Sequence, residues 1–210
     1  FKLTYLPDPQ HLVTVKLSET GDLLEAGLQD ARQITALLGA VKDLQTILSR
    51  VVETVRPQVE VLALNANGDT RRFAEYGLPV VADTVLGNPG PLAGVLSGME
   101  WAVENRPDCQ WIATMPTDAP FLPTDLVVHL TASLVDTGTE MACAASGGRH
   151  HPVCALWPVY LRDALRDAIM VEGIRKVDVW TGRYSLSIVE FSVQSYDPFF
   201  NTNRPVDLSQ

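Results

Sequence analysis

Cysteine is scarce in this chain, basic residues are outnumbered, and long apolar runs are missing. Its 210 residues include three cysteines, Cys109, Cys143 and Cys154. Their spacing fits no zinc motif, and an odd number cannot all pair within one chain, so they read as buried thiols. There are 16 Lys and Arg against 25 Asp and Glu, a net charge of -9. That charge opposes adsorption to nucleic acid or anionic lipid, so a phosphate-bearing ligand has to be met by a local site. No apolar stretch approaches the roughly 20 residues that span a bilayer, which excludes a membrane helix. Phe1–Leu6 is too short for a secretory signal and is interrupted by Pro7, Asp8 and Pro9, so the cytoplasm is the expected compartment. The chain opens on Phe rather than Met, as expected if residues are missing upstream or the start was misread.

A glycine-rich phosphate loop is also missing from the first 45 residues, where the glycines are Gly21, Gly27 and Gly39. None of these makes a cradle after a strand. The segment is still compatible with local structure. His11–Leu17 suits a strand, and Asp22–Leu38 suits an amphipathic helix with Leu24, Ala26, Leu28, Ala31, Ile34 and Leu37 on its apolar positions.

What is present is a globular composition, 46% apolar and 20% charged, in which apolar runs and helical segments alternate from about Val59 onward. That alternation is the pattern of a layered α/β domain with a mostly parallel sheet. The expected strands are Val59–Leu64, Pro79–Ala82, Gln110–Met115, Met141–Ala145, Val153–Trp157 and Leu186–Phe191. The expected helices are Ile47–Val55, Pro91–Glu104, Pro123–Leu134 and Pro158–Ala168, the last three opening on a proline suited to a first helical turn. Weaker helical patterns cover Asp69–Tyr76 and Val171–Trp180. Asp125 falls near a helix N-terminus, where the dipole favours a carboxylate.

Polar clusters follow three of these strands. Asp118, in Thr117-Asp118-Ala119-Pro120, stands where a parallel strand ends, the edge at which α/β sheets bind ligands. A carboxylate there suits Mg²⁺, which completes its shell with waters and substrate phosphates. Taken alone, an Asp before Pro120 more commonly caps a turn. Asn65-Ala66-Asn67-Gly68 offers two amides that can read a base or ribose edge or can close a turn. Asp83 precedes Asn88-Pro89-Gly90-Pro91-Leu92-Ala93-Gly94, a loop that runs straight into a helix N-terminus able to receive negative charge. Lys42 reads as an ordinary solvated lysine, and the adjacent His150 and His151 do not suit a shared metal ion.

Together these residues resemble the bacterial molybdenum cofactor guanylyltransferases from about Ile47 to Leu208. The resemblance rests on Leu64-Asn65-Ala66-Asn67-Gly68, Val80-Val81-Ala82-Asp83, Pro89-Gly90-Pro91-Leu92-Ala93-Gly94, Pro116-Thr117-Asp118-Ala119-Pro120-Phe121, His150-His151-Pro152 and Phe200-Asn201-Thr202-Asn203-Arg204-Pro205, in that order. It implies a three-layer Rossmann-like nucleotidyltransferase domain that transfers GMP from GTP to the terminal phosphate of molybdopterin, with release of pyrophosphate. It further implies Asn65 and Asp83 as nucleotide contacts and Asp118 as the catalytic Mg²⁺ ligand. His151, Asn201 and Asn203 are implied on the pterin side, and transient contact with molybdoenzymes or their chaperones is implied as well. Residues 46–210 form the nucleotidyltransferase-like domain in this reading. Residues 1–45 are a divergent segment, as a shifted reading frame or a fusion would produce, and they lack the family's glycine loop. The alternative is a non-catalytic nucleotide- or pterin-binding protein of the same fold.

Overall fold

The computed structural model describes residues 12–16, 45–85, 90–193 and 197–201. Seven strands form one sheet in the order β3-β2-β1-β4-β6-β5-β7. They are β1 (Leu12–Lys16), β2 (Val61–Asn65), β3 (Val80–Val81), β4 (Trp111–Pro116), β5 (Met141–Ser146), β6 (Arg149–Pro158) and β7 (Leu186–Phe191). β1 lies between β2 and β4 and is parallel to both, β2 is parallel to β3, and β7 is parallel to β5. Only β6 runs the other way, antiparallel to β4 and β5. The α/β class and the mostly parallel sheet therefore stand as expected from the sequence, and the strand expected at His11–Leu17 is seen over Leu12–Lys16 as β1. The Asp22–Leu38 helix, Lys42 and Asn203 lie outside the described residues.

Alternation along the strands sorts the core into two halves, one on each face of the sheet. Leu62 and Leu64 of β2, Ala113 and Met115 of β4, Ala142 and Ala144 of β5, and Cys154 and Leu156 of β6 pack on one face. They meet helix α1 (45–55) through Leu48, Val51, Val52 and Val55, and helix α3 (Leu126–Thr137) through Leu126, Val127, Leu130 and Leu134. Intervening residues Ala63, Ile112, Met141, Cys143, Ala155 and Trp157 face the other way. They pack on α2 (Pro91–Asn105), α4 (Arg162–Met170) and the short α5 (Val177–Thr181). The result is three layers, with Cys143 and Cys154 buried within them. Thr114 is the polar residue on β4. Its hydroxyl accepts from Trp157 Nε1 at 2.7 Å and donates to Val153 O at 2.6 Å, so its burial leaves nothing unpaired.

Three expected helices start three or more residues later than the sequence suggests. Pro158 ends β6, paired with Trp111, instead of opening a helix, and α4 starts at Arg162 after a turn of 3-10 helix at Val159–Leu161. A proline is tolerated there because the last ladder position needs no donor. α3 starts at Leu126, not at Pro123. Asp125 occupies its N-cap but makes no capping bond; its carboxylate meets His129 instead, 3.1 Å away. The capping acceptor is Gln58, whose Oε1 takes the Val127 N–H at 3.0 Å while its amide donates to Thr54 O and Pro123 O. Of the Val171–Trp180 pattern only Val177–Thr181 is helical, because Gly173 takes a φ of +70°. Gln58→Ala is therefore expected to cost about 1 kcal/mol, a melting temperature some 2–4 °C lower for a chain of this size, with Asp125→Ala costing less. Thermal melts followed by circular dichroism would check both.

Candidate active site

β2 and β4 reach the carboxyl edge of the sheet with Asn65 and Pro116, the two partners of Lys16 at the end of β1. The three residues share one register level. Asn65 and the turn that follows β4 are thus two strand spacings apart, about 10 Å, on the scale of a mononucleotide.

Asn65 is 1% exposed. Its Nδ2 donates to Val81 O at 2.9 Å and to Asp83 Oδ1 at 3.0 Å. Both partners are acceptors, which fixes the orientation of the amide and turns Oδ1 outward from that pair. This Oδ1 is buried and has no hydrogen-bond partner among the described residues. Asn67 completes the cluster. Its Nδ2 donates to Asp83 Oδ2 at 3.0 Å and its Oδ1 accepts the Asp83 N–H at 2.8 Å. Each oxygen of the Asp83 carboxylate is therefore held by an asparagine amide. The chain after Asp83 is tied down in turn, because the Thr84 N–H donates to Ser97 Oγ of α2 at 2.9 Å and that hydroxyl donates to Ala93 O. Gly90 precedes Pro91 at the start of α2 with φ +79°, a conformation that excludes most side chains.

Asp118 lies in the turn after β4 and is 6% exposed. Burial raises its carboxyl above the ordinary value, against the lowering effect of its own backbone N–H. The sheet order carries the edge onward from Asp118 to β6 and β5. Here His151, paired with Ala144, presents its ring to Phe199, stacked at 4.5 Å. His151 Nε2 lies 2.7 Å from Ser146 Oγ, and Ser146 donates to Asp197 Oδ1 at 2.7 Å. Burial lowers the His151 pKa, an effect that the nearby Asp197 opposes.

The sequence candidates are thus distributed as follows. Asn65 and Asp83 are in contact. Asp118 stands two strands away on the same edge. His151 is bound into a separate network, and Asn201 is exposed at the end of the described segment that carries Asp197 and Phe199. His150 and His151 point to opposite faces: His150 lines a cavity with Pro91, Arg175, Lys176 and Asp178, while His151 stacks on Phe199 of the α3-side core. Sequence reasoning did not single out Asn67 as the clamp on Asp83, nor Ser146 and Asp197. For Asn67 the signal was present, a second amide two residues along, on the same side of an extended chain.

A family model described as a MobA-like NTP transferase domain matches residues 37–183. The chain belongs to the MobA-like NTP transferase family. The molybdenum cofactor guanylyltransferase of Rhodopseudomonas palustris (strain BisB5) is 53% identical over 166 residues, 79% of this chain and 79% of that protein. Among solved structures, molybdopterin-guanine dinucleotide biosynthesis protein A from Archaeoglobus fulgidus superposes with a TM-score of 0.61 at 20% identity, covering 94% of this chain and 95% of that one. The 4-diphosphocytidyl-2C-methyl-D-erythritol synthase of Anaerococcus prevotii superposes with a TM-score of 0.65 at 9% identity, over 96% and 94% of the two chains. Both superpositions show the same α/β fold. As a member of this family the chain is a nucleotidyltransferase, a class that generally works with a divalent metal ion.

Proposed function

We propose that the protein transfers GMP from GTP to the terminal phosphate of molybdopterin, releasing pyrophosphate, as a cytoplasmic step of molybdenum cofactor biosynthesis. The observation that carries the nucleotide end of this reading is Asn65 Oδ1, a buried acceptor without a donor among the described residues. Leaving such an atom unpaired costs about 1–3 kcal/mol, a cost that a ligand N–H or O–H would remove. The Asp83 carboxylate, held by Asn65 and Asn67, places negative charge beside it. The cluster therefore selects a donor-bearing edge, such as that of guanine or of a ribose.

Asp118 is the Mg²⁺ ligand in this reading. The fit rests on its chemistry: a desolvated carboxylate whose charge is disfavoured by burial gains from a hard cation, and Mg²⁺ is commonly held by one or two carboxylates plus phosphates and water. When bound, Mg²⁺ neutralises phosphate charge and polarises the α-phosphorus. The protein's own part is positioning, because the acceptor phosphate is already a nucleophile and no side chain has to form a covalent bond. Asn65, Asn67 and Asp83 fix the nucleoside at one end, Asp118 holds the phosphate end, and His151 and Asn201 face the acceptor. The relatives named for guanylyl transfer support the reaction proposed, not the individual residue roles.

Turnover of GTP and molybdopterin with Mg²⁺, read as pyrophosphate release, tests the proposal directly. Tight GTP binding without pyrophosphate release would instead favour a non-catalytic binder. Asn65→Ala is expected to raise KM for GTP by about tenfold or more and to leave KM for molybdopterin unchanged, since it removes the acceptor and one of the bonds that aim Asp83. An unchanged KM for GTP would detach Asn65 from the nucleotide.

A further inference from the structure

The carboxyl end of β5 carries a second polar network, formed by Ser146, His151, Asp197 and Phe199. Ser146 is 1% exposed, and its hydroxyl stands between His151 Nε2 and Asp197 Oδ1 at 2.7 Å from each. The same Asp197 oxygen accepts the Phe199 N–H at 2.9 Å. Phe199, 4% exposed, stacks on the His151 ring and meets Phe191 of β7 edge to face at 5.5 Å. Residues 197–201, which end in Asn201, are thereby fastened to the turn between β5 and β6.

The hydrogen bonds have a determined direction. Burial alone would raise the Asp197 carboxyl, but the Phe199 N–H, the Ser146 hydroxyl and the nearby His151 and Arg149 outweigh it and hold it below the ordinary value. Asp197 is therefore a carboxylate at neutral pH and can only accept. Ser146 has one proton and must give it to Asp197, which leaves its oxygen as an acceptor for His151. His151 must then carry its proton on Nε2, and Nδ1 is left with a lone pair. A hydroxyl inserted between carboxylate and imidazole thus does what a direct carboxylate does elsewhere: it selects one tautomer.

We propose that Ser146 is a positioning residue, which locks His151 as the Nε2–H tautomer and holds residues 197–201 on the sheet edge, so that His151 Nδ1 is offered as an acceptor to the pterin-side substrate. This rests on the guanylyl-transfer reading for the identity of that substrate. The lock itself does not. Protonating His151 leaves the Nε2–H bond intact and converts Nδ1 from acceptor to donor. The groups that act on the ring's charge are Asp197 and Glu190, which favour the proton, and Arg149 and His150, which oppose it, together with burial, the largest effect.

Side-chain ¹⁵N NMR of His151 in the full chain reads the tautomer without any substrate. A protonated Nε2 and a bare Nδ1 are expected in the parent protein at neutral pH, and a mixture of tautomers in Ser146→Ala. In turnover assays Ser146→Ala is expected to raise KM for molybdopterin by about tenfold while KM for GTP stays at the parent value. A parent His151 protonated on Nδ1 overturns the proposal, even if Ser146→Ala does not fold. So does a variant with the parent's ¹⁵N pattern, or one that weakens GTP and molybdopterin alike. If the parent turns over no GTP, the guanylyl-transfer reading falls, and the ¹⁵N pattern still decides the lock.

Discussion

Asp118→Asn is expected to lower GTP turnover by about a thousandfold or more while raising the melting temperature at pH 7. The two effects have one origin. Asp118 is buried, and burial holds its carboxyl above the ordinary aspartate value of 3.8. Between 3.8 and the raised folded value the folded state binds more protons than the unfolded state, so stability falls as pH rises through that window. Above the window the full penalty of a buried charge is carried. Asparagine keeps the shape and an acceptor oxygen without the charge, and removes that penalty. The stabilisation should vanish below pH 3.8, where the Asp is protonated in both states. Activity is expected to move the opposite way, because the proposed cation ligand is lost and about 4 kcal/mol of charge stabilisation at the phosphates goes with it. Pyrophosphate release and pH-dependent thermal melts measure the two halves. Unaltered activity would make Asp118 a turn residue only, and a lower melting temperature at pH 7 would contradict the burial argument.

The sequence made the layered architecture legible because its signals are local. Val, Ile, Ala and aromatic runs of strand length recur between helical segments, and each expected strand appears within a few residues of its place. The edge clusters were legible for the same reason, since a polar residue just past an apolar run is already at a strand end. Asn65 and Asp83 could be placed on one edge before any contact was known. What escaped depends on partners far away in the chain. Gln58 caps α3 across 69 residues, and no pattern near Pro123 announces it. Ser146 finds Asp197 across 51 residues. The reversal of β6 was within reach: Gly147 and Gly148, with φ +53° and +76°, form a two-residue connection between the paired Ser146 and Arg149, and Gly-Gly between strands is a hairpin signal. It was masked by Pro152, which made the strand look as if it began at Val153.

Compared with a relative that keeps the glycine-rich loop, this chain is expected to bind GTP–Mg²⁺ at least about a hundredfold more weakly. β1 ends at Lys16, level with Asn65 and Pro116, so the chain leaves its central strand at the edge where the nucleotide is proposed to lie. The residues that continue from there, Leu17-Ser18-Glu19-Thr20-Gly21-Asp22, carry two acidic groups and one glycine. Phosphate cradles form where successive backbone N–H groups converge with no Cβ between them and ligand, usually with a cation nearby. Each charge-assisted bond lost is worth about 1.5–3 kcal/mol, so two lost bonds already amount to a hundredfold. In the proposed reading the acceptors at Asn65 and Asp83 act on the nucleoside and do nothing for the triphosphate. Calorimetric titration of both proteins with GTP and Mg²⁺ at one ionic strength measures the difference. Micromolar binding by this chain would mean that residues 1–45 supply a phosphate site without the glycine loop, and the affinity argument would fail at its first step.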